Sequence, residues 1–382
     1  MINPVRLLND QIKILVCPLD WGIGHASRMI PLIHKLLQSN FEVILASYGK
    51  AGELLKTEFP NLCFIDLPSY TIRYSRSKSQ VFIMILQLHK ILAGIIKEHR
   101  WLKRIVSMHH IDVVISDNRY GLCYKKILSV FISHQISPSL PSGLKWIEPF
   151  VYVFLGIFIR SFDRCWIPDI EDPSTNLTGK LSHRYKIFHN ASFMGMLSRF
   201  NENHCMSDGK TAETYDIMVI LSGPEPQRTL LEEMLVRQLG ETVYKAAIVC
   251  GLQQPVIQNF NRFLGSVDFF YHLPVKEFRN MLLNSGVIIC RSGYSTIMDL
   301  VELGRPAILI PTPGQPEQEY LAGYLSQKGF FCTMNQQSFD LQKALRLFQS
   351  KRFNRAALSV TNTEKYLQDL LNLYQQKKKN RR

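Results

Sequence analysis

No stretch of the 382 residues is long and apolar enough to supply the ~20 consecutive positions of a membrane-spanning helix. The longest apolar run, PFVYVFLGIFIRSF at 149–162, is broken by Arg160. The eight cysteines are scattered, with no CxxC pair and no Cys/His cluster. That spacing argues against a zinc site and against a disulfide framework. Reduced thiols and the lack of a secretory leader point to a cytoplasmic protein. Acidic residues are scarce, with 31 Asp and Glu against 45 Lys and Arg, for a net charge of +14. No nucleic-acid-binding motif accompanies this charge, so anionic lipid or a diphosphate is the expected counterpart rather than nucleic acid. There is no short-period repeat and no low-complexity segment beyond the tail KKKNRR.

Hydrophobic residues make up 46% and charged residues 20%, a globular composition large enough for two or three domains. The first 200 residues hold 24 basic and 14 acidic side chains, so they are the basic half. Strand-like apolar runs alternate with helical patterns. QIKILVCPL, FEVILAS, NLCFIDLP, IDVVISD, SVFISHQ and RCWIPD form one set, and YDIMVILSG, KAAIVCG, VDFFYHL, GVIICRSG and PAILIPT form another. Alternation of this kind predicts an α/β fold with two doubly wound parallel sheets. The polar stretch 199–214 reads as a linker. The expected domains are 1–200 and 213–351, and a final helix over 352–376 is expected to pack back on the first.

Two stretches carry candidate chemistry. In CPLDWGIGHASRMIPL, at 17–32, a strand ending near Leu19 hands over to a helix starting near Ala26. The loop at the carboxyl end of a parallel strand faces the ligand crevice. Gly22 and Gly24 permit unusual backbone geometry and close approach of a ligand. His25 stands at the helix mouth, where it can act as a base and where helix polarity discourages a fixed positive charge. The pattern is not the dinucleotide fingerprint, because Ser27 stands where a third glycine belongs. Two other strand ends should open on the same edge, one with Asp117, Asn118, Arg119 and Tyr120 and one with His134 and Gln135. Asp117 or His134 would orient an acceptor or share a proton, or else cap the next element.

The second stretch runs from 286 to 329. A buried strand ends at Cys290, Arg291, Ser292, Gly293, Tyr294 and Ser295 make a turn, and a helix begins around Thr296. Its amide groups and positive dipole end suit an anion. Asp299 reads either as the acid of a capping box or as an acceptor for ribose hydroxyls.

GIGHASR, with Gly22, Gly24, His25 and Arg28, resembles the N-terminal loop of the GT-B glycosyltransferases of family 28. That family includes the enzyme adding GlcNAc to the lipid-linked muramyl-pentapeptide. A related UDP-sugar hydrolase of pseudaminic acid synthesis shares the G-x-G-H-x-x-R form. Residues 286–329 resemble the family's UDP-sugar signature. The resemblance implies two Rossmann-like domains facing a cleft, with the donor held by the second. It implies that Arg291, Ser292, Gly293, Ser295 and Thr296 meet the diphosphate, that Asp299 meets ribose, and that Gln318 and Glu319 lie near ribose, sugar or uracil. It places uracil at the backbone around Leu273 and a glycine-rich loop at LSGPEPQR, from which Arg228 would reach a phosphate. Glu319 departs from the family's more usual glutamine, as does Ala322 from its common asparagine.

The implied activity is transfer of a sugar, usually GlcNAc, from a UDP-sugar to an acceptor hydroxyl, with inversion and with His25 as base. A UDP-sugar hydrolase and a non-catalytic nucleotide-sugar binder stay open as alternatives; an epimerase shares the architecture, but a clear set of cleft carboxylates is missing. No cofactor is expected. Asp169-Ile170-Glu171 has the look of an acidic metal pair but lies outside the signature, so no metal is expected either. Residues 80–107 read as a long apolar helix with a basic end, in which Lys90, Lys97, Arg100, Lys103 and Arg104 face one acid, Glu98. Tyr74, Arg76 and Lys78 read as a loop that covers the acceptor. This basic region would suit a peripheral contact with an anionic membrane, on its cytoplasmic face, and a lipid-linked acceptor of the cell envelope.

Overall fold

The computed structural model describes residues 11–68, 87–200, 214–251, 266–271, 273–354 and 363–380. The chain divides into two compact units. Of the described residues, those up to 197 and from 363 onward form one, and those from 198 to 354 form the other.

In the first unit, seven parallel strands are ordered β3-β2-β1-β4-β5-β6-β7. They are β1 (Lys13–Pro18), β2 (Glu42–Ser47), β3 (Cys63–Asp66), β4 (Val113–Asp117), β5 (Leu128–Ile132), β6 (Arg164–Ile167) and β7 (Ala191–Phe193). All five residues of β4 and of β5 are buried, as expected of central strands covered on both faces. β7, only three residues long at the sheet's edge, is an addition to the strands expected from sequence. Helices α1 (Ile23–Gln38), α2 (Gly49–Glu58), α3 (Leu88–His109) and α4 (Glu148–Ile159) connect them. The chain steps in one direction from β1 to β2 to β3 and in the other from β3 to β4 and from β5 to β6. Right-handed crossovers therefore put α1 and α2 on one face and α3 and α4 on the other.

The direction of travel reverses between β1 and β4, where Pro18 pairs with Asp117. Ligands in open α/β sheets bind at such a switch point. The last described helix, Thr363–Lys379, packs on this unit. Its Asp369 pairs with Arg164 and accepts from Trp166 Nε1 at 3.3 Å, Tyr374 donates to Asp112 at 3.0 Å, and Lys377 pairs with Asp163 at 2.7 Å.

The second unit has six parallel strands in the order β10-β9-β8-β11-β12-β13. They are β8 (Tyr215–Ile220), β9 (Ala246–Val249), β10 (Val267–Phe270), β11 (Ser285–Cys290), β12 (Ile308–Leu309) and β13 (Cys332–Thr333). β13 was not apparent in the sequence. Helices α5 (Gln227–Gly240), α6 (Val275–Asn284), α7 (Tyr294–Glu302), α8 (Pro316–Gln327) and α9 (Leu341–Ser350) surround the sheet. Ile217, Val219, Ile289 and Ile308 of the strands pack with Leu231, Leu235 and Leu345 of the helices. Here the switch point falls between β8 and β11, which pair Ile220 with Cys290.

Candidate active site

At the first switch point, α1 begins at Ile23, three residues earlier than the sequence suggested, so Gly24 and His25 lie in its first turn. Gly22 caps it with φ −179°, an extended backbone open to any residue, and a Cβ there would meet nothing within 4 Å. The glycine therefore leaves room at the helix mouth; it does not relieve a forbidden turn.

Four side chains meet below that mouth. His25 Nδ1 lies 3.1 Å from Asp117 Oδ2. Arg28, one turn along α1, donates from Nε to the same oxygen at 2.9 Å and from Nη2 to Asp117 Oδ1. Arg28 Nη1 reaches His134 Nδ1 at 2.8 Å. Guanidinium groups only donate, so His134 accepts through Nδ1 and carries its proton on Nε2. Burial alone would raise the Asp117 carboxyl, but the Arg28 charge and the hydrogen bonds from Arg28 and His25 outweigh it and hold it at about 2. Burial lowers the His25 pKa, assisted by Arg28 and His134 and opposed by Asp117. The imidazole is thus neutral near pH 7 beside a carboxylate that is ionised. When His25 donates Nδ1–H to Asp117, its Nε2 lone pair is left to accept a proton. Arg28 Nη2, 2.9 Å from the same Nδ1, competes for that nitrogen. The negative charge of Asp117 favours the donating tautomer.

Asn118 turns the chain at the end of β4 in the left-handed region, with φ 56°. That turn sends Arg119 inward. Arg119 is fully buried, donates to Pro18 O at 3.0 Å, and pairs with Glu98 and Asp20, each at 2.8 Å. Its expected contact with the acceptor is therefore corrected: Arg119 ties the glycine-bearing loop to α3. Glu98 likewise is no counter-charge on a basic surface, because it is buried against Arg119. Gln135 lies at the end of β5 and its amide donates to Ser133 Oγ at 3.1 Å. Asp169 accepts from the amides of Leu177 and Thr178 and pairs with His183 at 3.0 Å, which organises its own loop. Tyr74, Arg76 and Lys78 lie outside the described residues.

At the second switch point, α7 begins at Tyr294, slightly before the expected Thr296, with Gly293 as its cap. The N–H groups of its first turn, including those of Ser295 and Thr296, point out of the helix mouth. Gly293 has φ −73°, and a Cβ there would meet nothing within 4 Å, so this mouth is open as well. Several side chains expected on a ligand hold the walls of the site instead. Arg291 is fully buried and donates to Gln227 O at 2.6 Å, Ile310 O at 3.2 Å and Pro311 O at 3.3 Å. Burial lowers its pKa to about 10, so it stays cationic at neutral pH.

Ser292 Oγ donates to Gln318 O at 2.8 Å, and Gln318 Oε1 accepts from the Thr312 amide at 2.9 Å. The exposed Glu319 accepts from the Gly314 amide at 2.8 Å. Arg228, expected to reach a phosphate, is held by Glu225 at 2.7 Å and Glu232 at 3.0 Å. Asp299 neither caps its helix nor stands open to a ribose. It accepts from Ser198 Oγ at 2.9 Å and from Arg199 at N, 3.2 Å, and Nε, 2.8 Å. Leu273 is half-buried immediately before α6.

Sequence reasoning missed one member of this site. Thr312 is buried at the end of the β12 loop, and its hydroxyl has no partner among the described residues. A Cβ on Gly223, whose φ is +103°, would come to 3.6 Å from that hydroxyl. The PTPG turn following β12 was the available signal.

Residues 230–373 match the glycosyltransferase family 28 C-terminal domain. Over that range the chain is similar to glycosyltransferase family 28. An uncharacterized glycosyltransferase of Methanosarcina acetivorans is 21% identical over 330 residues, which span 84% of each chain. A UDP-N-acetylglucosamine–N-acetylmuramyl-(pentapeptide) pyrophosphoryl-undecaprenol N-acetylglucosamine transferase of Rhodopseudomonas palustris is 40% identical over 73 residues, 19% of this chain and 18% of that one. The solved structure of MurG from Acinetobacter baumannii superposes with a TM-score of 0.54 at 15% identity, covering 95% of this chain and 99% of the other. Two Rossmann-like domains of the GT-B plan are thus the fold of this chain. Among the described residues, no helix is long and apolar enough to cross a membrane.

Proposed function

We propose that the chain transfers an N-acetylhexosamine from a UDP-sugar to a hydroxyl of a lipid-linked acceptor, with inversion and without a metal. The second unit takes the donor and the first the acceptor. The observation that carries this reading is the His25–Asp117 contact at the first switch point, set on the basic half of the chain. His25 Nε2 removes the acceptor's hydroxyl proton. The oxygen attacks the anomeric carbon on the face opposite UDP, the bond from that carbon to the diphosphate oxygen breaks, and configuration inverts. Asp117 holds the ring in the tautomer needed and stabilises the imidazolium as it forms. A base of this kind contributes ~10²–10⁴-fold.

The departing diphosphate needs positive potential. The amides at the mouth of α7, the dipole behind them and the buried Arg291 charge supply it, and the Thr312 hydroxyl adds a donor. The local identity to a relative whose name specifies UDP-N-acetylglucosamine and a pyrophosphoryl-undecaprenol acceptor supports both substrate classes. The test is calorimetry with UDP and UDP-N-acetylhexosamines, followed by UDP release with lipid-linked and soluble acceptors. Equal release of free sugar without any acceptor would establish a hydrolase in place of a transferase. Calorimetry silent for UDP would remove the donor assignment.

A further inference from the structure

An ionised carboxylate can accept about four hydrogen bonds. Asp169 is fully buried just past the end of β6 and takes its set from one short loop. The Leu177 amide donates to Oδ1 at 2.8 Å, and the Thr178 amide to Oδ2 at 3.1 Å. The Thr178 hydroxyl also donates to Oδ2, and since it has one proton, the Ser182 hydroxyl donates to it in turn. His183 Nε2 supplies the last donor, at 3.0 Å. The other donors are spent inside the loop, but His183 has a second nitrogen. With Nε2–H turned to the carboxylate, Nδ1 carries a lone pair. The ring also stacks on Phe193 of β7, with centroids 4.5 Å apart and planes 14° from parallel. Phe193 thereby sets the plane of the imidazole, and Asp169 sets its rotation. The side chain is 14% exposed, and among the described residues nothing bonds to Nδ1. Asp169 is already served by two amides and a hydroxyl, so neither restraint on the ring is needed to satisfy it. Together they aim an unused lone pair.

The loop stands at the carboxyl edge of the sheet, where ligands enter an open parallel fold. Asp117, Ile132 and Trp166 are in register across β4, β5 and β6. Asp169 lies three residues beyond Trp166, so it rises over the same edge as Asp117 and His134. The Ser137 amide, three residues after His134, donates to Leu181 O at 2.8 Å. That bond joins the chain leaving β5 to the short helix Lys180–His183. β4 and β6 are two strand spacings apart, ~10 Å. One hydroxyl cannot touch both His25 and His183, whereas two parts of one acceptor can.

We infer that His183 is a specificity-determining residue for the acceptor: its Nδ1 accepts a hydrogen bond from a carbohydrate hydroxyl other than the one that reacts. The lone pair sets the chemistry. A phosphate or carboxylate without a proton has nothing to donate to it, so the subsite selects a neutral hydroxyl. No bond is made or broken there. The contact decides which acceptor is held, and in which orientation, rather than how fast the hydroxyl at His25 reacts. Asp169 touches no substrate; it positions the ring. The inference deepens the transferase reading and rests on it, because that reading supplies the acceptor.

The experiment is UDP release from UDP-N-acetylglucosamine at saturating donor, over a panel of lipid diphosphates bearing one or two sugars and of free oligosaccharides. UDP calorimetry and Tm are read on every protein. His183→Gln separates a binding role from a structural one. Its amide N–H can replace Nε2–H on Asp169, but it places no acceptor where Nδ1 stood. Tm, UDP affinity and kcat are expected to hold while the acceptor KM rises about tenfold, the loss of one hydrogen bond. His183→Ala should raise KM by a similar factor. Among monodeoxy forms of the best acceptor, one should show the same rise with the unmodified chain and no further rise with His183→Gln, since each change removes the same contact. An unchanged KM in both variants overturns the subsite and leaves the transferase reading standing. So does a fall in Tm with His183→Gln accompanied by equal losses for UDP and every acceptor, which would make the ring a packing element only. UDP binding with no acceptor of the panel used removes the transferase reading, and this inference with it.

Discussion

Replacing Asp117 by Asn tests the candidate base through a side chain that need never touch substrate. The two carboxylate oxygens accept from three donors, Arg28 Nε, Arg28 Nη2 and His25 Nδ1. An amide offers one oxygen and one NH₂, so either orientation sets an N–H against an Arg28 N–H. With the NH₂ toward His25, Nδ1 must accept, the ring proton moves to Nε2, and the base is lost. Turnover is expected to fall ~10²–10⁴-fold. Breaking one side of a buried ion pair costs about 3–5 kcal/mol, and Asn keeps part of the hydrogen bonding, so the lower end is expected. For a unit of this size that is a fall in Tm on the order of 10 °C. Asp117 raises the His25 pKa, so without it the ring titrates still further below its ordinary 6.5. The acid limb of kcat should therefore move to lower pH even as the plateau drops. UDP release against pH, with circular dichroism on the same samples, reads all three effects. D117N that turns over within a few-fold of the unmodified enzyme, with an unchanged acid limb, refutes the pairing of these residues in catalysis.

His25→Ala should lower turnover ~10²–10⁴-fold with UDP affinity unchanged, as measured by initial rates and calorimetry. In the unmodified enzyme kcat should be flat near pH 7 and fall only below pH 6.5, because His25 must be neutral to work and its pKa is depressed. Gly293→Ala places a methyl in open space at a φ alanine tolerates, so Tm should hold while UDP affinity drops at least about tenfold, or 1.4 kcal/mol. Arg119→Gln strands Glu98 and Asp20 without their cation and should cost about 3–5 kcal/mol in denaturant unfolding.

Most strands were legible because parallel strands buried on both faces read as unbroken apolar runs. IDVVISD and GVIICRSG leave little else for those residues to be. β7 and β13 escaped because three and two residues at a sheet edge carry no such run. The opening of α1 was placed three residues late because Gly22 and Gly24 read as turn-formers, whereas the helix takes up Gly24 without a positive φ. His25 and Asp117 stand 92 residues apart, and their meeting follows only once β1 and β4 are known to be neighbours. The direction of an arginine was the least readable feature. Arg119, Arg228 and Arg291 all sit at strand ends or helix starts where a guanidinium could face a ligand. Each turns inward because buried carbonyls or carboxylates nearby require a donor. Sequence spacing does not encode that choice, which is made by tertiary partners such as Glu98, Glu232 and Ile310.

Arg119 also has a mechanical consequence. Its guanidinium grips Asp20 with one nitrogen and Glu98 with another. Asp20 stands two positions before Gly22, and Glu98 is in the middle of α3. A shift of that helix along its axis must either rupture two ionic contacts or drag the loop that presents His25. Whatever seats α3 against another body would then be felt as strain or slack at the imidazole, a linkage made by one side chain.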